Sequence, residues 1–121
     1  MILSFHPCFV GDKNILCAGR QPDDKDLRAI KQASAVILPQ ACREPLYKLA
    51  RKNSENIFPD YDAKFAYPGK IGQIKLFKKS KIKYPGTECF NNLQDFRNKF
   101  DRGFSKLPLQ LPFVFKFNWG G

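Results

Sequence analysis

The sequence predicts an α/β domain in three layers, a parallel sheet with helices on both faces. Short apolar runs alternate with stretches of helical periodicity along the first half of the chain, the order in which parallel strands and crossover helices are written. Two of those runs, AVIL at 35–38 and NIF at 56–58, each stop at a proline, and AVIL has no polar face, as a strand buried on both sides does. At 121 residues, 43% apolar and 14% aromatic, the chain is too rich in core-forming side chains to be disordered, and it suits one core.

MILSF at 1–5 is a short apolar run suited to a buried strand, and NILCA at 14–18 is another. Pro7, Gly11 and Asp12 punctuate the gap between them, and no helix fits there. After Gly19, the carboxylates Asp23, Asp24 and Asp26 precede Leu27 and Ile30 at helical spacing, so they cap a helix at the positive end of its dipole; it should run to about Ser34. Ala35 to Leu38 forms the next strand. Pro45 suits a first helical turn, with Leu46, Leu49 and Ala50 as the inward stripe of a helix ending near Asn53. Asn56 to Phe58 closes the strand series, and right-handed crossovers join the set.

Pro68-Gly69 opens a helix that turns Ile71 and Ile74 inward and its lysines outward. Tyr84-Pro85-Gly86-Thr87 is a turn, extended residues lead to Phe90, and Asn92 caps a helix with Leu93, Phe96 and Phe100 on one face. A loop from Gly103 to Pro112 then delivers PFVFKFNWGG at 112–121, where Phe113, Phe115, Phe117 and Trp119 alternate with Val114, Lys116 and Asn118. That period of two predicts a strand with one aromatic face, Lys116 on the other, and a glycine turn at Gly120-Gly121 whose bare backbone can approach a ligand.

The net charge of +10 (21 Lys and Arg less 11 Asp and Glu) invites a polyanion partner. Between Ala63 and Thr87 lie seven lysines and no carboxylate, a pattern that more often marks a solvated face than a phosphate track. A nucleic-acid binder would show its aromatics on a platform among the lysines, whereas these fall mostly on apolar faces. The cysteines at 8, 17, 42 and 89 form no C-x-x-C pair, and His6 with Cys8 makes only two ligands, so no metal site is written; reduced, mostly buried thiols are expected. No apolar run approaches the ~20 residues that span a bilayer, and the protein is expected to be soluble and cytoplasmic. His6 is the lone histidine, and no nucleophile motif, Walker loop or G-x-G-x-x-G occurs, so no catalytic residue is named. The loop from Gly19 to Asp24 stands where a doubly wound sheet binds ligands. Lys70 opens a helix directly after Gly69, and Lys116 lies mid-strand, where a charge needs a partner.

The stretch YPGKIGQIKLFKKSKIKYPGTECF at 67–90, followed by a helix, a proline-bounded loop and PFVFKFNWGG, resembles the approach to the ATP-binding domain of ATP-grasp ligases. There a lysine opens a helix, a proline-any-threonine turn follows, and a strand with a nucleotide-contacting lysine enters a glycine-rich loop over the phosphates. The matching residues are Lys70, Pro85-Gly86-Thr87, Lys116, Gly120 and Gly121. The resemblance implies that residues 1–111 are the Rossmann-like domain that precedes an ATP-grasp domain and that 112–121 are the first strand of the latter. It implies a parent that joins a carboxylate to an amine or similar nucleophile through an acyl phosphate with ATP and Mg2+, inactive as this fragment. Lys70, Lys116, Gly120 and Gly121 would contact the nucleotide. The expected partner is a C-terminal ATP-grasp domain; self-association through residues 112–119 is the other way to cover the aromatic face. An independent flavodoxin-like binding module and a small basic nucleic-acid-binding protein are the alternatives.

Overall fold

The structure, a computed structural model, describes residues 1–100 and 109–119, and falls into two compact units, 1–65 and 66–121. The first is α/β. Strands β1 (Ile2–Ser4), β2 (Lys13–Asn14), β3 (Ala35–Ile37) and β4 (Ile57–Phe58) form one all-parallel sheet in the order β2-β1-β3-β4. Leu3 stands opposite both Lys13 and Val36, and Val36 opposite Ile57. Helix α1 (Asp24–Gln32) carries the chain from β2 over β1 to β3, and α2 (Glu44–Asn53) carries it from β3 to β4.

Both crossovers run the same way across the sheet, so equal handedness puts their helices on one face. Accordingly, α1 and α2 pack against each other. These two helices therefore cover one face, where the sequence led us to expect helices on both. Leu3, Phe5, Ile30, Val36, Leu38, Leu46, Tyr47 and Ala50 meet in the core between them and the sheet. Each large aliphatic or aromatic side chain buried there contributes about 1.5–3 kcal/mol.

The link from β1 to β2 is unusual, because parallel neighbours normally need a crossover of a dozen or more residues. Residues 5–12 manage without a helix because the buried Ser4 organises them. Its hydroxyl donates to the Phe9 carbonyl (2.7 Å) and accepts the His6 N–H (3.1 Å). Asp12 accepts the Ile2 N–H at 2.6 Å and returns the chain to the sheet edge.

Helix α1 begins as its carboxylates predict, with a reciprocal capping box. Asp23 accepts the N–H groups of Lys25 and Asp26, and Asp26 accepts that of Asp23. Helix α2 carries Pro45 in its first turn, where a missing N–H costs nothing. A short helix that sequence periodicity did not reveal, α3 (Asp62–Ala66), follows β4.

In the second unit, α4 (Gly69–Lys79) and α5 (Leu93–Phe100) form where expected, and Asn92 caps α5 by accepting the Asp95 N–H at 2.8 Å. Phe90, Phe96, Phe100 and Phe115 cluster with ring centroids 5.2–6.0 Å apart. The strand expected over residues 113–119 does not form; 113–117 have no regular structure. A strand exists only through its ladder, and no described neighbour offers one. Instead the segment folds back within its own unit through Phe115 and Asn118. Residues 103–108 of the expected loop, and Gly120-Gly121, lie outside the described residues.

Candidate functional site

A parallel sheet gathers the carboxyl ends of its strands on one edge, and the loops leaving that edge converge there. In the first unit those loops are residues 5–12, 15–23, 38–43 and 59–61. After β2, Ala18 (φ 42°) and Gly19 (φ 78°) turn the chain through the left-handed region, and the Arg20 N–H closes the turn on the Cys17 carbonyl (2.8 Å). Arg20 then grips Asp26 with two parallel bonds of 2.6 and 2.8 Å. Asp26 is fully buried, and the Arg20 guanidinium holds its carboxyl below the usual range against the opposing effect of burial.

After β3, Pro39 to Arg43 lead into α2. The guanidinium of Arg43 lies over Gly19: a Cβ added there would meet its Cζ and an Nη at 3.2 Å and its Nε at 3.4 Å. Near-equal distances to three atoms of one plane mean that the plane lies flat on the glycine. Glycine suits the left-handed backbone angle here, and a Cβ would push the Arg43 guanidinium back by a few tenths of an ångström. The Cys17 and Cys42 thiols sit beneath these loops, and burial pushes both up, Cys42 to about 11 although Lys64 acts in the opposite sense.

After β4, the Tyr61 hydroxyl donates to the Pro39 carbonyl (3.0 Å), while Lys64 donates to the Gln40 carbonyl (3.3 Å) and stands 4.5 Å above the Tyr61 ring. The Tyr47 hydroxyl lies between Asp60 (3.0 Å) and Asp62 (2.5 Å) and accepts the Tyr61 N–H. Burial and the two carboxylates raise its pKa, so it acts here as a fixed donor that ties α2 to the loop. Arg51 balances Asp62 at 3.1 Å.

His6 and Cys8 make a local turn, with the Cys8 N–H donating to His6 Nδ1 (3.1 Å). Among the described residues no three His, Cys, Asp or Glu side chains are grouped to hold a metal ion. Cys17 and Cys42 are buried as expected, whereas Cys8 and Cys89 are exposed.

The lysines singled out in the sequence belong to the second unit. Helix α4 has no cap from Pro68, its own N-cap residue; Asn118 supplies one from far along the chain. Its main-chain carbonyl accepts the Lys70 N–H at 3.2 Å and its Oδ1 accepts the Ile71 N–H at 2.9 Å. Gly69 (φ 69°) leaves the room, since a Cβ there would lie 2.5 Å from Asn118 Oδ1. The segment bearing Lys116 is thereby tied to the helix start bearing Lys70. Lys116 itself is exposed, and Gly120 and Gly121 are outside the described residues. Comparisons with family models, curated proteins and solved structures give no match.

Sequence reading placed the loop after Gly19 but not Arg20, Asp26 and Arg43 as its actors, nor, in the second unit, Asn118 as the cap of α4. Only Asp26 left a signal, as a third carboxylate in a helical first turn. Among the described residues no helix is long and apolar enough to cross a membrane.

Proposed function

We propose that the chain is the N-terminal, substrate-side domain of a cytoplasmic ATP-dependent carboxylate ligase of the ATP-grasp kind. Residues 1–111 would be a Rossmann-like domain in three layers. The observation that carries this reading is the Asn118 tie, which joins the two segments whose lysines the sequence nominates for phosphate contacts. In this reaction class ATP activates a carboxylate as an acyl phosphate, which an amine or similar nucleophile then opens. The chain's own contribution is to bind and orient. Lys70 and Lys116 suit the nucleotide phosphates as point charges, Gly120 and Gly121 suit a close backbone approach, and the carboxyl edge of the sheet suits the substrate. Magnesium is assigned no ligand on this chain. An ATP-binding domain is the partner that would cover the aromatic face of 113–119; a second copy of the chain is the other.

In the full-length protein, Lys116→Ala is expected to weaken ATP binding by ~1.5–3 kcal/mol, the worth of a charge-assisted hydrogen bond. Calorimetry showing unchanged nucleotide affinity would remove Lys116 from the site. A second reading has one observation in its favour: Phe115, Phe117 and Trp119 are 59, 77 and 67% exposed beside Lys116, an arrangement that suits stacking of unpaired bases. Salt-sensitive binding of a single-stranded oligonucleotide, lost in Trp119→Ala, would favour it over the ligase.

A further inference from the structure

We propose that Arg43, seated on Gly19 at the carboxyl edge of the sheet, binds the carboxylate of a small-molecule ligand. The other cations of this edge are already engaged. Arg20 spends both arms on Asp26 and has Asp23 at 3.6 Å besides, while Lys64 is held by the Gln40 carbonyl and the Tyr61 ring. Farther along α2, Arg51 faces Asp62. Arg43 has no acceptor among the described residues. The nearby thiols are no substitute, since each donates to a main-chain carbonyl, Cys17 to that of Arg20 and Cys42 to that of Arg43. Because burial raises their pKa values, both stay neutral near pH 7.

The seat makes this more than a surface arginine. A free arginine side chain loses rotamer entropy when a ligand fixes it. Here the plane already lies flat against Gly19, so part of that ordering precedes binding. Gly19, Arg20 and Arg43 are exposed, so a ligand has access. A planar guanidinium fork matches a planar carboxylate with two parallel bonds. One uncompensated positive charge also balances a carboxylate better than a phosphate dianion. That the ligand is a substrate rests on the ligase reading; that a carboxylate binds at Arg43 does not.

The test is a titration of the 15N-labelled chain with succinate at constant ionic strength, followed by backbone amide and arginine Nε–H shifts. Saturable shifts are expected at Gly19, Arg20, Arg43 and Glu44, weakened at least tenfold in Arg43→Gln. Arg43→Lys keeps the charge but loses the fork, and is expected to weaken binding about threefold or more; it decides the matter if the Gln variant does not fold. Arg28→Gln, on α1, is expected to bind as the parent does. Shifts that do not saturate, or that persist unchanged in both Arg43 variants, would overturn the site. Inorganic phosphate binding more tightly than succinate would overturn the carboxylate assignment. Lys116→Ala should leave the succinate titration unchanged, so failure of the ligase reading and failure of this site appear in separate experiments.

Discussion

The two units solve the same problem with different means. In residues 1–65, parallel strands and two crossover helices close over a continuous core, with Leu3, Ile30, Val36, Leu38 and Ala50 at 0% exposure. In residues 66–121, among the described residues, Phe100 is the one buried large side chain, and aromatic rings touch edge to face at half-exposed positions. A sheet gives each inward side chain neighbours from two strands and a helix. Helices joined by irregular segments must rely on rings wide enough to reach one another. The first unit should therefore open last, and the second should show the lower local stability.

The comparison breaks most sharply in the core. Ile30→Ala removes a fully buried side chain from the last turn of α1 and is expected to cost ~2–5 kcal/mol in chemical denaturation followed by circular dichroism. A cost below ~1 kcal/mol would mean that the first unit is no better packed than the second.

Next in size is the Arg20–Asp26 pair. Asp26→Ala removes half of a capping box and leaves Arg20 without its main partner; ~1–2 kcal/mol is expected from the cap. Its pH dependence has a definite sign. The folded-state pKa of Asp26 lies below its unfolded value, so its contribution is present above about pH 4, the ordinary aspartate pKa, and is lost as pH falls through the folded value. Stability measured from pH 7 down to pH 2 should fall less steeply in Asp26→Asn than in the parent.

In the second unit, Asn118→Ala deletes a cap that arrives through tertiary structure. A loss of about 1 kcal/mol is expected, read as faster amide hydrogen exchange at Lys70 and Ile71, with Asn118→Asp protecting them. Exchange unchanged by Asn118→Ala would mean that the tail is not held there. The smallest effect is chemical. At pH 8 the exposed Cys8 and Cys89 should react promptly with iodoacetamide, and the buried, raised Cys17 and Cys42 only on the timescale of unfolding.

Much of the local architecture was legible because its causes lie within a few residues. The carboxylates at 23–26 announced the start of α1, Pro45 that of α2, Pro68-Gly69 that of α4 and Asn92 that of α5, since each satisfies or tolerates the free N–H groups of its own first turn. The apolar runs at 1–5, 35–38 and 56–58 announced β1, β3 and β4. Helix α3 escaped because five residues hold too little periodicity to detect.

By itself, then, the sequence determined α1, α2, β1, β3 and β4 in the first unit, and that the strands run parallel, because periodicity and capping are short-range chemistry; it missed α3, and it set the second strand at 14–18 where the structure has β2 at Lys13–Asn14. Tertiary structure alone decided that β1 lies between β2 and β3, that both crossover helices share one face, and that Ser4 and Asp12 suffice to link β1 to β2. It also decided the fate of the tail. Residues 113–119 have the alternation of a strand, but alternation supplies only a face; the ladder must come from a neighbour. With none among the described residues, Asn118 found the open N–H groups of α4 instead. The same holds at the sheet edge, where Arg43 meets Gly19 only because the loops that follow β2 and β3 converge across the end of β1.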